Sequence, residues 1–109
     1  MSSMDDRQKA FENKFAHDAE MQFKAEARRN RMLGMWAAGK MGIMKPDDAK
    51  AYAQEVVKSD FEEAGEEDVY RKVAGDLDAK GAEWTEDELR EKMASFMAEA
   101  KEELMNEVN

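Results

Sequence analysis

The sequence contains no cysteine, one histidine (His17), one proline (Pro46) and six glycines. Without cysteine the chain can form neither a disulfide nor a thiolate metal site, and one imidazole cannot supply the paired histidines of a di-metal helical bundle. No stretch approaches the ~20 apolar residues that a membrane-spanning helix needs, and the first residues lack the apolar core of a signal peptide. We therefore expect a soluble, cytoplasmic protein.

Helix-forming residues make up most of the chain. Of its 109 residues, 39% are charged, and alanine, glutamate, lysine and methionine are the dominant types. Apolar residues recur at three- and four-residue spacing, and no segment alternates with the period of two that indicates a strand. We predict an all-α fold, a small four-helix bundle with a long first helix and a mobile N-terminal arm.

Residues that typically begin and end helices place the four helices. The predicted helices run from about residue 5 to 41, from 46 to 64, from 66 to 80, and from 85 onward. Pro46 suits a first helical turn, and Gly65 and Gly81 suit left-handed helix ends. Thr85 starts a capping box in which Glu88 is the reciprocal partner.

The apolar face of the first helix is interrupted in its middle. One group comprises Phe11, Phe15, Ala19 and Phe23, a second comprises Leu33, Trp36, Ala37 and Met41, and the polar residues Gln22, Glu26, Arg29 and Asn30 lie between them. A helix packed along its whole length on one core would not show this gap. We therefore predict an arm at residues 1–20, a bundle domain at residues 21–109, and a core that starts only at Met32.

Charge is distributed unevenly between the two parts of the chain. Residues 1–41 hold eight Lys/Arg and six Asp/Glu, whereas residues 42–109 hold nine Lys/Arg and twenty Asp/Glu. The acidic second part disfavours nucleic acid, whose binding depends on neutralising phosphates. The first part places Arg7, Lys9 and Lys14 beside Phe11 and Phe15, a combination typical of a docking helix.

Features of catalytic sites are missing from the sequence. The pair Gly39–Lys40 lacks the strand, the upstream glycine and the following Ser/Thr of a phosphate-binding loop. The acidic clusters fall at predicted helix ends, where capping explains them, and no nucleophile–base set can be assembled. Trp36 and Trp84 are interpreted as structural residues. We do not expect an enzyme.

Three segments have residue combinations that together resemble one protein family. They read DDRQKAFENKFAHDAE at residues 5–20, RRNRMLGMWAA at residues 28–38 and AYAQEVVKSDFEEAGEEDVYRKV at residues 51–73. This pattern resembles the zeta subunit of alphaproteobacterial F-type ATP synthases, a family of small all-helical proteins. The resemblance runs from about Asp5 to the C-terminal helix, and chance similarity over segments this long is improbable.

The resemblance implies an inhibitor of ATP hydrolysis. It implies that the arm inserts into a catalytic subunit interface of the synthase head, formed by alpha, beta and gamma subunits, and blocks rotation in the hydrolysis direction. The partner-binding residues that we predict are Arg7, Lys9, Phe11, Lys14, Phe15 and His17. No cofactor is expected, although the resemblance admits weak adenine-nucleotide binding. The protein would be peripheral to the inner membrane through the synthase, and monomeric when free.

Other interpretations of the same residues stay open. A helical adaptor that binds another protein, or that self-associates through the phenylalanine face, would share this fold without affecting an ATPase. A nucleotide-sensing regulator is a further possibility. Phe11 and Phe15 are also compatible with a stably packed core position, and His17 with an ordinary exposed position on the arm.

Overall fold

The computed structural model of the chain describes residues 19–60 and 66–108. The helices are α1 (Ala19–Lys40), α2 (Pro46–Ser59), α3 (Glu67–Ala79) and α4 (Glu86–Val108). These residues contain no strand, which confirms the all-α four-helix prediction. The start of the first helix and the predicted arm up to residue 18 lie outside the described residues, as do Phe61 and Gly65.

Two glycines in left-handed conformation end α1 and α3. Gly42 has φ of +76°, and the next residue, Ile43, donates its N–H to the Ala38 carbonyl at 2.9 Å. Gly81 has φ of +67°, and Ala82 donates to the Leu77 carbonyl at 3.0 Å. Both are Schellman motifs, which satisfy carbonyls at a helix end and need a residue that tolerates positive φ. The predicted stop at Gly81 is confirmed.

The starts of α2 and α4 also follow their capping residues. Pro46 occupies the first turn of α2, where its missing N–H has no intrahelical acceptor. Thr85 precedes α4, and its Oγ1 accepts a hydrogen bond from the Glu88 N–H at 3.1 Å. The Glu88 carboxylate accepts a bond from Lys40 Nζ at 2.5 Å, a partner that the capping-box pattern does not predict.

All four helices contribute to one main hydrophobic cluster. Its buried members are Leu33, Ala37, Ala38, Ala49, Tyr52, Val56, Val69, Val73, Leu77, Leu89 and Met93. Trp36, Trp84 and Phe96 are partly buried and pack against it, which confirms the structural interpretation of both tryptophans. Helix α1 is the central element because it packs most extensively on α2, then on α4, and also contacts α3.

The prediction that the core starts at Met32 is wrong. Arg29 is only 4% exposed and Asn30 is completely buried, although both lie in the polar gap that precedes the predicted core. Met21 and Ala25, further towards the N-terminus, are buried as well. Arg29 and Asn30 therefore form an interior polar layer, whereas Gln22 is exposed, and packing continues beyond this layer to Met21.

Candidate protein-binding surface

The six partner-binding residues predicted from sequence all lie outside the described residues. They are Arg7, Lys9, Phe11, Lys14, Phe15 and His17. The described part of the chain that follows them begins with α1 at Ala19. We therefore describe the first three turns of α1, residues 19–29, as the arm root.

A small hydrophobic cluster seats the arm root on the C-terminal part of α4. Met21 and Ala25 of α1 are buried against Leu104 of α4, and Met97, also on α4, packs against this group. The exposed fractions are 7% for Met21, 1% for Ala25 and 4% for Leu104. This cluster is separate from the main one, and its members all come from α1 and α4.

An ion-pair fork closes one edge of this cluster. Arg28 pairs with Glu103 at 3.3 Å, and its two terminal nitrogens both bind the Glu107 carboxylate. The hydrogen bond from Arg28 lowers the pKa of Glu107, and the same bond raises the pKa of Arg28. The two glutamate side chains are 45% and 55% exposed, so solvent screens much of the attraction.

A buried arginine, Arg29, directly follows Arg28 on α1. The Arg29 side chain is 5% exposed, and its Nε donates to the Asn30 Oδ1 at 2.9 Å. Its terminal nitrogens lie 3.8 Å from Asp60, at the end of α2, and 3.8 Å from Glu66, just before α3. One side chain of α1 thus links to both sides of the α2–α3 connection.

The carboxyl group of Asp60 is affected by this environment. Burial raises its pKa, and the nearby Asn30 amide and Arg29 guanidinium offset part of that effect. The charge of Asp68, which is buried in the first turn of α3 and pairs with Arg71, raises the pKa of Asp60 further. Asp60 and Asp68 therefore lie close enough for their charges to interact where α1, α2 and α3 come together, and Arg29 lies beside Asp60.

Exposed apolar side chains are found on both ends of α1 and just beyond it. Phe23 is 50% exposed and lies on the helix face that the sequence pattern assigned to Phe11 and Phe15. Met35 is 41% exposed, and Met44, in the loop between α1 and α2, is 89% exposed. Phe23 is the member of this set that continues the predicted docking face into the described part of α1.

An open groove of about 320 Å³ lies between the α1–α2 loop, α2 and α3. Two of its polar side chains converge on Asp76, to which Tyr52 donates a hydrogen bond at 2.8 Å and Lys72 another at 2.9 Å. Lys40, of the Gly39–Lys40 pair, lies elsewhere and binds Glu88 and the Glu83 carbonyl. These polar groups therefore have partners within the protein.

The described residues hold no group of three or more His, Cys, Asp or Glu side chains arranged to bind a metal ion. Within the same residues, no helix combines the length and apolar character needed to cross a membrane. Three features of the described residues stand out. They are the small cluster of Met21, Ala25 and Leu104, which we call the root cluster, the ion-pair fork of Arg28, and the buried Arg29.

Sequence reasoning missed the role of α4 in holding the arm root. Glu103 and Glu107 are four residues apart, a spacing that places both on one face of a helix. That signal was available in the sequence, but many acidic pairs on α4 share it. The choice of Arg28 as their partner required the packing of α1 on α4.

Comparisons with known proteins identify relatives of the chain. Residues 1–103 match the family model described as ATPase inhibitor subunit zeta. A protein whose structure was solved by solution NMR is 59% identical, with 80% of this chain and 98% of that chain covered and a TM-score of 0.69. A comparison with curated proteins finds no match.

The family match spans the predicted arm as well as most of the bundle. It begins at residue 1 and ends within α4, so it includes all six predicted partner-binding residues and the arm root. A match over this much of the chain is sufficient to assign the family, and the chain belongs to the ATPase inhibitor subunit zeta family.

Proposed function

We propose that this protein inhibits ATP hydrolysis by an F-type ATP synthase. The observation that carries the proposal is the family match, which covers residues 1–103 and therefore includes the predicted arm. The partner is the catalytic head of the synthase, with its alpha, beta and gamma subunits. The protein acts by binding, not as an enzyme, and it is cytoplasmic and peripheral to the inner membrane through that partner.

The mechanism we propose is insertion of residues 1–20 into a catalytic subunit interface. An amphipathic helix binds a groove by burying its apolar face while charged residues align at the rim. Phe11 and Phe15 are suited to the buried positions, and Arg7, Lys9 and Lys14 to the rim. His17, near the end of this segment, completes the proposed contact set.

Direction-dependent action follows from a wedge next to a rotor. An inserted helix opposes the rotation that hydrolysis drives, whereas rotation in the synthesis direction pushes against the wedge from the other side and expels it.

The direct test is an ATP hydrolysis assay on the isolated catalytic head with added full-length protein. We expect saturable inhibition, and no inhibition by a variant that lacks residues 1–20. The main cluster consists of residues from Leu33 onward, so the shortened variant should keep a cooperative thermal transition. Equal inhibition by the two proteins would contradict the arm mechanism, and no inhibition by either would contradict the function.

The alternative is a helical adaptor or a nucleotide-sensing regulator that does not inhibit the ATPase. Affinity capture distinguishes the adaptor, because an inhibitor should recover the alpha and beta subunits whereas an adaptor recovers other proteins. Weak adenine-nucleotide binding, without a cofactor role, is compatible with the inhibitor. NMR titration with ATP would reveal it as shifts within the bundle, and shifts that also abolished inhibition would favour the regulator.

A further inference from the structure

The two hydrophobic clusters along α1 differ in size and in the helices that form them. The main cluster has eleven buried residues from four helices. The root cluster has three, Met21, Ala25 and Leu104, with Met97 packed against them. Because apolar burial stabilises in proportion to area, the root cluster is the weaker of the two.

A polar layer separates the clusters. Asn30 and Arg29 are buried on α1 between Ala25 and Leu33, and Arg29 reaches towards Asp60 and Glu66. Apolar contact along α1 is therefore interrupted, and loss of the root cluster does not have to open the main cluster. Regions with few apolar contacts at the end of a structure are those that open locally.

Helices α1 and α4 run antiparallel, so the C-terminal end of α4 lies beside the arm root. Lys40 contacts Glu88 at one end of the pair, and Arg28 contacts Glu103 and Glu107 at the other. A groove on the partner that surrounds an inserted helix can accept only those turns of α1 that are not covered by α4. Release of residues 19–28 would lengthen the arm by about 15 Å at 1.5 Å per residue.

From this arrangement we infer that residues 19–28 of α1 and residues 97–108 of α4 form a latch that opens independently of the main cluster. When the latch opens, these turns of α1 join the arm and extend its reach into the partner. The latch is closed by the root cluster and by the exposed Arg28 fork. The statement about reach rests on the proposed function, whereas the statement about opening does not.

Amide hydrogen exchange tests the opening. Leu104→Ala removes the largest α4 contribution to the root cluster, so we expect exchange at residues 22–28 to accelerate at least about tenfold. Exchange at residues 33–38 should stay unchanged. Arg28→Gln removes the fork without making a cavity and should accelerate the same stretch by a smaller factor.

Leu77→Ala is the matched control because it makes the same change in the main cluster. We expect it to accelerate exchange at residues 33–38, which Leu104→Ala leaves unchanged. If Leu77→Ala prevents folding, Val73→Ala serves the same purpose with a smaller deletion. Equal acceleration of both stretches by Leu104→Ala, or no acceleration of residues 22–28, would overturn the latch.

Inhibition assays test the reach. Apparent affinity increases with the fraction of molecules in the binding-competent state, which here is the state with the latch open. Because Leu104→Ala weakens the latch, a lower concentration of this variant should give half-maximal inhibition. A higher concentration would overturn the claim that the open state is the one that inserts. If the unaltered protein did not inhibit at all, the proposed function would fail, and the exchange experiment would still decide the latch.

Discussion

At the scale of single residues, Gly34 determines how closely α1 and α2 approach. A Cβ atom placed on Gly34 would lie 2.5 Å from the Ala53 Cα and 3.0 Å from its Cβ. The first of these contacts is with backbone, which cannot rotate away. Two small residues thus face each other at the crossing, and this approach brings α1 onto the main cluster next to Val56.

We predict that Gly34→Ala destabilises the protein although alanine is the better helix former. Overpacking typically costs about 1–3 kcal/mol, and a contact of 2.5 Å with backbone places Gly34→Ala towards the upper part of that range. The cost should therefore exceed the roughly 1 kcal/mol gained in helix propensity. Gly75→Ala is the matched control, because a Cβ there meets nothing within 4 Å, and it should stabilise by about 0.5–1 kcal/mol. Urea unfolding measures both, and a stabilised Gly34→Ala variant would mean that the helices separate easily.

The partly buried Asp60 gives a prediction about pH. Its pKa is raised in the folded protein, mainly by burial, so its ionised form is less favourable there than in the unfolded chain. Asp60 therefore contributes stability that is fully present below its ordinary pKa of 3.8 and is lost as pH rises through the raised value. The substitution Asp60→Asn should remove this loss and make the protein more stable at pH 7.

Chemical unfolding of the two proteins between pH 4 and 8 tests this prediction. The stability difference in favour of Asp60→Asn should grow with pH across the interval just above 3.8 and then level off. Asp60→Ala would be a poor comparison because it also removes the polar contact to Arg29. A variant less stable at every pH would show that the attraction of Arg29 outweighs the burial of the charge.

At the scale of helices, the sequence was a good guide to the starts of α2 and α4 and to the end of α3. It was a poor guide to the end of α2, which lies at Ser59 and not at the predicted residue 64, and to one interior. Pro46, Gly81 and Thr85 act at positions where local chemistry decides, so their roles were predictable. Arg29 and Asn30 were misjudged because burial of Arg29 depends on partners that are distant in the sequence. These partners are Asp60 and Glu66, which flank the connection between α2 and α3. A periodic pattern on one helix cannot show which polar residues receive partners from others.

The cap of α4 carries a prediction at the same scale. Thr85 Oγ1 accepts the Glu88 N–H at 3.1 Å, and its removal leaves a donor of the first turn without that acceptor. We expect Thr85→Ala to cost about 1 kcal/mol, whereas Thr85→Ser, which keeps the hydroxyl, should cost little. In a domain of this size 1 kcal/mol corresponds to roughly 4 °C in Tm. Equal Tm values for the two variants would indicate that the Glu88–Lys40 contact alone fixes this helix start.

At the scale of the whole molecule, we attribute stability to the bundle and partner binding to the proposed arm. The bundle fold was predictable because the apolar stripes of its helices close on one another, as the main cluster shows. The arm residues were chosen from charge and aromatic content together with family resemblance, and their positions lie outside the described residues. Their assignment therefore stays a prediction that binding measurements must decide.

Replacement of Phe11 and Phe15 with alanine separates these two properties. Truncation of an aromatic anchor at an interface costs about 2 kcal/mol or more, equivalent to about thirtyfold in affinity. We therefore expect the double variant to lose inhibitory potency by at least that factor, with little change in Tm.

Phe96→Ala is the contrasting control, because Phe96 packs against the main cluster and its loss should lower Tm while sparing inhibition by the folded fraction. Hydrolysis assays and thermal unfolding on the three proteins decide the matter. A double variant that inhibits like the parent would remove these residues from the interface, and one that unfolds would place them in the core.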